Sequence, residues 1–393
     1  MDLGQDLFYS STDPFRRSTS IGDIGEMKLS ERIVFRITPV TEPFTPILVR
    51  QASYNTYRGA TWYATPASFT ALSPKADQTT WKLGPDPAGP SEAFTVWSPL
   101  KNGVGMLKLP LGAFQVENLR VAGLKQTPLG AVKAEEGPGL LSYTVRFKRE
   151  TSPDLAPSQI DLTIPDKERP AIMQMVAELG LYGKSPQKIV AVLDDFFQQQ
   201  FAYSLKQGKA DKGKTSLATF LFSTRSGHCE YFATATVLIL RACGIPARYA
   251  SGYSAHEFSA LENKIIVRKR HAHAWTLAYL DNGWRNLDTT SSNWIDIEDE
   301  AASSMSIFQD VWSALLFKIS QWRWGINQEE LKKWWWLLLL PLLLILGRRL
   351  YIKKKIQRIK TSDQQKKKSQ PFTRKKYSAF DQIEKRLHEL GFE

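Results

Sequence analysis

One uncharged stretch, residues 334–347, constrains this 393-residue chain more than any other segment. Its sequence, WWWLLLLPLLLILG, is apolar on every side of a helix and lies between a Lys-Lys pair and an Arg-Arg pair. A helix without a polar face is buried either in a protein core or in lipid. The tryptophans and basic side chains favour lipid, because they anchor at headgroups and extend a span shorter than the usual ~20 residues. We therefore predict a transmembrane helix over residues 330–352.

The basic charge of the chain is concentrated after this predicted helix. From Arg348 to the end there are 15 Lys and Arg residues against 5 Asp and Glu, so this part carries +10 of the net charge of +13. The positive-inside rule places such a tail, residues 353–393, in the cytoplasm and the preceding residues on the extracytoplasmic side of the cytoplasmic membrane. No RNA-binding or helix-turn-helix pattern occurs, so the charge predicts a membrane partner and no nucleic acid.

The residues before the predicted helix divide into three regions. Residues 1–27 have no apolar segment of the kind that signal peptides carry, which predicts a linker that follows membrane helices in a longer protein. Residues 28–166 alternate apolar and polar side chains between Gly/Pro-rich turns, which predicts an all-β, sandwich-like domain with a supporting or partner-binding role. Residues 167–320 mix helical and strand periods, which predicts an α+β core.

Both cysteines of the chain, Cys229 and Cys243, fall in one predicted helix. Their separation and the absence of a CxxC or Cys/His zinc spacing predict neither a disulfide framework nor a metal site, and we expect no cofactor. Cys243 lies late in the helix, among core positions. Cys229 lies in the first turn, where unpaired N–H groups and the helix dipole favour a thiolate, and Gly227 just before it lets a reacting group approach the backbone. Position alone leaves both packing and catalysis open for Cys229.

A base and an orienting group for such a thiol are available in HAHAWTLAYLDNGWRNLDTT, two predicted strands joined by a hairpin turn. His271 and His273 point to the same side of the first strand, so the pattern does not choose between them. They also lack a third ligand for a shared metal. A two-residue turn at Asn282-Gly283 would place Asp288 roughly 13 Å along the strand from His273. A Cys-His-Asp group therefore requires a wider loop or a bulge near the turn.

Three blocks together, RSGHCEYFATATVLILRACGIPARYASGY, HAHAW and GWRNLD, resemble the core of the transglutaminase-like superfamily over residues 185–295. The resemblance implies a papain-like cysteine fold. It also implies that Cys229 is the nucleophile, His273 the base and Asp288 the group that orients the histidine. The supporting or substrate-binding residues are then Gly227, Glu230, Trp275 and Trp284. Two positions depart from the family pattern: His271 stands where an aspartate is expected, and Thr289 replaces a proline.

The order of the regions resembles bacterial membrane-anchored transglutaminase-like proteins. This resemblance implies acyl transfer from a glutamine carboxamide to an amine through a thioester on Cys229, with a protein or peptide of the cell envelope as substrate. Two alternatives stay open from the sequence. One is a cysteine protease or amidase that hydrolyses peptide or cell-wall amide bonds, and the other is an inactive membrane-anchored binding module.

Overall fold

The computed structural model describes residues 17–39, 46–149, 151–206, 211–300, 306–324, 343, 346–349, 351 and 379–391. Two compact units, Met1–Ile326 and Asn327–Glu393, make up the chain. The helices of the described residues are α1 Asp23–Met27, α2 Arg169–Glu178, α3 Pro186–Gln200, α4 Ser216–Thr219, α5 Cys229–Ala242, α6 Trp294–Glu300, α7 Ser306–Arg323 and α8 Ala379–Glu389.

The strands fall into four antiparallel sheets and one parallel pair. In chain order they are β1 Ser18–Ser20, β2 Ile33–Pro39, β3 Ile47–Tyr54, β4 Thr56–Arg58, β5 Thr61–Tyr63, β6 Thr70–Leu72, β7 Trp81–Lys82, β8 Glu92–Pro99, β9 Gly105–Met106, β10 Leu109–Pro110, β11 Ala113–Glu117, β12 Gly123–Gln126, β13 Val132–Glu135, β14 Leu140–Phe147, β15 Ala202–Tyr203, β16 Ser226–Gly227, β17 Ala247–Ala255, β18 Glu257–Ser259, β19 Lys264–Arg268, β20 Ala272–Leu280 and β21 Gly283–Leu287.

The sheet that positions the candidate site has the strand order β10-β3-β17-β20-β21. All nine residues of β17 are buried, as expected of a central strand covered on both faces. Helix α5 packs on β20, and the Thr276 hydroxyl donates to the backbone oxygen of Ala233 in that helix. Gly252 in β17 approaches β3 so closely that a Cβ atom there would lie 2.1 Å from the Val49 oxygen. This contact leaves room only for glycine.

The second large sheet has the order β18-β19-β2-β8-β14-β11-β7. Strand β2 pairs with β19, and in the first sheet β3 pairs with β17. Strands from both sides of residue 166 therefore lie in the same two sheets. The fold is mixed α/β, as predicted, but the expected all-β domain placed before the core differs from this arrangement. The backbone groups at a strand edge need hydrogen-bond partners. For one edge of β2 and one edge of β3, these partners are strands about 200 residues later in the chain.

Part of the predicted linker, residues 1–27, is regular structure. Strand β1 pairs with β5. Helix α1 begins at Asp23, whose carboxylate accepts a hydrogen bond from the Ser20 backbone N–H at 2.8 Å. Ile24 and Met27 are buried in the main core. Two apolar side chains one turn apart are enough to dock so short a helix, although they do not make an apolar run.

The predicted transmembrane helix, residues 330–352, lies largely outside the described residues, as does most of the tail over 353–393. Among the residues that are described, none of the helices has both the length and the apolar character that crossing a bilayer requires.

Candidate active site

Cys229 is the first residue of α5, and its side chain is fully buried. His228 before it is extended, with φ −98° and ψ 175°, and thus turns the chain from β16 into the helix. The sulfur therefore lies at the positive end of the helix dipole, where unpaired N–H groups favour a negative charge. This is the position that the sequence predicts for it.

The packing around position 227 favours glycine, which the sequence did not indicate. A Cβ atom at this position would lie 3.2 Å from the rings of both Phe220 and Tyr231, so the aromatic side chains occupy the space beside it. Its backbone oxygen accepts a hydrogen bond from Ser204 at 2.9 Å. Gly227 therefore packs the helix start tightly against its neighbours.

His273 and Asp288 meet across the β20–β21 hairpin, with His273 Nε2 2.6 Å from Asp288 Oδ2. The other carboxylate oxygen of Asp288 accepts the Thr290 backbone N–H at 3.1 Å. Thr289, which replaces a family proline, is buried, and its hydroxyl lies 2.7 Å from that of Thr236 in α5. The substitution therefore ties the residue after Asp288 to the helix that carries Cys229.

The hairpin turn corrects the predicted geometry. Its two central residues are Asp281 and Asn282, with φ 49° and 62°, and Leu280 pairs with Gly283. The turn is one residue earlier than predicted. Each residue of β21 therefore lies opposite a residue of β20 that is two positions nearer to His273 than predicted. That shift brings Asp288 ~7 Å closer to His273. Neither a wider loop nor a bulge is needed.

The pKa of His273 reflects both of its neighbours. Burial lowers this pKa, but the Asp288 carboxylate and then Cys229 outweigh burial and raise it to about 10. The same pairing lowers the pKa of Asp288, although burial opposes the shift. Asp288 occupies Nε2, whereas Nδ1 is buried and has no hydrogen-bond partner among the described residues. Cys229 is close enough to raise the pKa of the imidazole, and Nδ1 is the ring nitrogen that remains available to the thiol.

His271 is placed quite differently from His273. It ends a 3-10 turn, Lys269–His271, just before β20, so it is not in the strand as predicted. Its Nδ1 accepts the Arg268 backbone N–H at 3.2 Å, and its Nε2 lies 3.2 Å from Glu257. Burial lowers its pKa to about 4, so it is neutral near pH 7. The local turn, rather than strand parity, separates the two histidines.

His271 also belongs to a group of potential metal ligands with His256 and Asp299, whose nearest ligand atoms lie within 4.8 Å of one another. Since Nδ1 of His271 accepts a backbone hydrogen bond, its neutral ring carries the proton on Nε2, the nitrogen that faces the cluster. Asp299 is bound by the Arg270 guanidinium. These partners make the cluster a charge network, and we assign no metal to it.

Helix α6 covers the candidate site. The Trp294 ring stacks on His273 with centroids 4.4 Å apart and planes within 10°, and the imidazole is fully buried. Glu298, one turn later, forms a buried ion pair of 2.5 Å with Lys28 and accepts a hydrogen bond from the Tyr203 hydroxyl. Lys28 Nζ also lies 4.8 Å from the Trp294 ring. Nothing in the sequence pattern indicated this cover, because its contacts come from distant segments.

Glu230 follows the nucleophile and is also buried, but it serves the amino-terminal segment. One of its oxygens accepts the backbone N–H groups of Gly22 and Gly25, at 2.9 and 3.4 Å. Burial raises its pKa to about 8 despite these hydrogen bonds. The neighbouring His228, with Nδ1 3.2 Å away, has its pKa lowered to about 3 by burial and by Lys28.

The two predicted tryptophans have different surroundings. Trp275 is parallel to His273, with ring centroids 6.2 Å apart, and its N–H donates to Asn286 at 2.8 Å. Trp284 lies under the Arg248 guanidinium, 3.9 Å from its ring, and donates to the Leu155 oxygen. Trp275 therefore adjoins the candidate site, whereas Trp284 contacts Arg248 and Leu155, although both tryptophans belong to one apolar cluster.

Comparison with known proteins finds relatives for part of the chain. Residues 175–289 match the core of the transglutaminase-like superfamily. A protein-glutamine gamma-glutamyltransferase of Pseudomonas aeruginosa is 36% identical over 144 residues, which is 36% of this chain and 21% of that protein. The uncharacterized protein YebA of Bacillus subtilis is 33% identical over 109 residues, 26% of this chain and 15% of that protein. The matched segments thus span about a fifth or less of these two relatives.

A solved structure extends the likeness in fold beyond the matched segment. The periplasmic domain of TgpA from Pseudomonas aeruginosa, bound to ethylmercury, aligns with 70% of this chain and 95% of its own length, at a TM-score of 0.54 and 24% identity. The same domain in a second crystal structure gives a TM-score of 0.53 over 72% of this chain and 95% of its own length, at 23% identity. The solved structures show a likeness in fold, and the sequence match identifies residues 175–289 as similar to the transglutaminase-like core.

Proposed function

We propose that the chain is a membrane-anchored cysteine enzyme that transfers the acyl group of a glutamine side chain to an amine. The observation that carries the proposal is the position of His273, between Cys229 at a helix start and Asp288. A nucleophile, a base and an orienting carboxylate in this order form the arrangement that covalent acyl transfer requires. The similar Pseudomonas protein is named a glutamyltransferase, which favours the same reaction.

The chemistry follows from these three side chains. The Cys229 thiolate attacks the carboxamide carbon, and the His273 imidazolium gives its proton to the nitrogen that leaves as ammonia. The resulting thioester is then attacked by an amine, which loses its proton to His273 as the new amide forms, and Cys229 leaves as the thiolate, so that the thiolate and the imidazolium are restored. Asp288 stabilises the imidazolium and fixes the ring orientation throughout. Backbone N–H groups at the start of α5 are suited to stabilise the oxyanion.

The proposed location follows from the sequence and from the relative. The TgpA domain is described as periplasmic, and the positive-inside rule places residues before 330 on that same side. The proposal thus has a periplasmic catalytic core held by a membrane helix over residues 330–352. Its substrates are then proteins or peptides of the cell envelope.

The test uses the full chain in lipid vesicles with a glutamine-donor peptide and a labelled primary amine. We expect incorporation of the amine that is abolished in Cys229→Ala and retained in Cys243→Ala, since Cys243 is a half-buried thiol at the other end of α5. Ammonia release or peptide cleavage without incorporation would replace transfer with hydrolysis. If the native chain forms no thioester and releases no product, a binding module is the better description.

A further inference from the structure

Helix α7 is bound to the seven-stranded sheet along one face. Phe317 contacts Trp97 at a ring distance of 5.9 Å, and the Arg36 guanidinium lies 4.1 Å above the Phe317 ring while it also donates to the Ser313 hydroxyl. At the start of the helix, Asp310 pairs with Arg268 at 2.8 Å. These contacts fix the rotation of the helix about its axis. They therefore also fix which side chains point away from the protein.

The opposite face of α7 is a stripe of large apolar side chains that no described residue covers. Its members have exposed fractions of 38–64%, and they are Val311, Trp312, Leu315, Leu316, Ile319 and Trp322. Single exposed apolar residues are ordinary, but a continuous stripe on one helix marks an interaction surface. The only charged residues from 311 to 323 are Lys318 and Arg323, so this stretch carries no acidic side chain.

We infer that this stripe binds the surface of the lipid bilayer, with α7 lying in the plane of the headgroups. Tryptophan and leucine on one face, with basic and no acidic residues from 311 to 323, are typical of helices that lie at membrane interfaces, and the one acidic residue before them, Asp310, is paired with Arg268. Ten residues separate Arg323 from the tryptophans that begin the apolar run at 334. A connection of that length spans at most roughly 35 Å, so a bilayer that holds the run is within reach of α7.

The inference rests on the proposed membrane helix over residues 330–352, and it adds a second attachment with a functional consequence. Helix α6, which covers His273, ends five residues before α7. A bilayer that holds α7 therefore holds the site cover close to the membrane. The substrates that reach Cys229 would then be those presented near the membrane surface.

The experiment reports lipid contact directly, without use of the catalytic activity. The full chain, with Cys229→Ser and Cys243→Ser, receives one new thiol at a time, by Ile319→Cys on the stripe, Leu343→Cys in the apolar run or Tyr182→Cys as control. Tyr182 is also a large exposed side chain, but it lies between α2 and α3. Each thiol is labelled with a polarity-sensitive fluorophore, and the chain is reconstituted in phosphatidylcholine–phosphatidylglycerol vesicles.

We expect brominated lipids to quench the label at Ile319→Cys and at Leu343→Cys, and aqueous iodide alone to quench the label at Tyr182→Cys. Adding Leu316→Glu should reduce lipid quenching at position 319 while that at position 343 stays unchanged. Quenching by lipid at 343 but not at 319 would overturn the inference and leave the membrane helix standing. A label at 319 that neither lipid nor iodide reaches would overturn it as well, and would indicate a protein on this face. Absence of lipid quenching at both positions would contradict both proposals.

Discussion

The two ring nitrogens of His273 have different surroundings. Nε2 is held by Asp288 at 2.6 Å, which leaves Nδ1 for Cys229. Trp294 and Trp275 lie parallel to the ring, at centroid distances of 4.4 and 6.2 Å, so the imidazole has little freedom to rotate. A charged ring in such a buried place depends on its carboxylate, because burial by itself lowers the pKa of this histidine.

Replacing Asp288 by asparagine tests that dependence. An amide keeps the shape but brings no charge, and it can favour the wrong tautomer of His273. We expect Asp288→Asn to slow acyl transfer by on the order of 10²–10⁴-fold, the range for general acid–base catalysis. The pKa of His273, measured by NMR titration of labelled histidine, should fall well below its native value. The matched control is Asp281→Asn on the same hairpin, whose carboxylate faces Gln187. An unchanged His273 pKa in Asp288→Asn would remove Asp288 from the proposed mechanism.

At the scale of elements, α6 restricts access to the candidate site around Cys229. Cys229 and His273 are fully buried, and Trp294 closes the site by stacking on the imidazole. The Lys28–Glu298 pair holds the helix to the segment that follows α1. We therefore expect a substrate to reach the thiol when α6 moves away from His273.

Trp294→Ala should therefore speed the alkylation of Cys229 by iodoacetamide in the Cys243→Ala background. The expected gain is about tenfold for each ~1.4 kcal/mol of packing lost from the closed position. Trp322→Ala, which truncates an exposed tryptophan on α7, is the control and should leave the rate unchanged. An equal rate in Trp294→Ala and the native protein would mean that α6 is not the barrier.

The same elements show what the sequence predicts and where it stops. The period of apolar residues identified β20, β21 and α5, because a buried face follows from local spacing. The prediction placed the turn at Asn282-Gly283, one residue later than the observed Asp281-Asn282, because aspartate and asparagine both tolerate positive φ. With the predicted turn, Asp288 would be out of reach of His273. The contacts of Trp294 with His273 could not be predicted, since they depend on how α6 folds back over the strand.

For the molecule as a whole, the amino-terminal segment is an integral part of the fold. Glu230 in α5 accepts backbone N–H groups of residues more than 200 positions earlier. The alternation of apolar and polar side chains in residues 28–166 predicted strands but not which strands pair. Side-chain spacing shows which face of a strand is buried, but it does not show which strand lies along each edge. For one edge each of β2 and β3, the partners are strands of the core, which only the assembled sheets reveal.

The titration of Glu230 predicts how this assembly responds to pH. Its pKa is raised from an ordinary value of 4.5 to about 8 in the folded protein, so the folded state holds the proton more tightly. The stabilisation from this group is complete below pH 4.5 and is lost as the pH rises to about 8. Glu230→Gln should remove this dependence. The unfolding free energy of the variant minus that of the native protein should therefore increase as the pH rises from 4.5 to about 8. Urea denaturation at several pH values measures the difference, and Glu178→Gln, at an exposed position of α2, is the control. A constant difference from pH 4.5 to 8 would contradict the assignment.

The shared sheets also have a consequence for biosynthesis. Strand β3 leaves the ribosome about 200 residues before β17, its partner at Ala52 and Ser251. At ~5–20 residues per second, it waits on the order of 10–40 seconds with its edge unpaired. During translation β2 and β3 are therefore exposed to wrong pairing, and a nascent chain of this design gains from a chaperone that binds these two strands until the core has emerged.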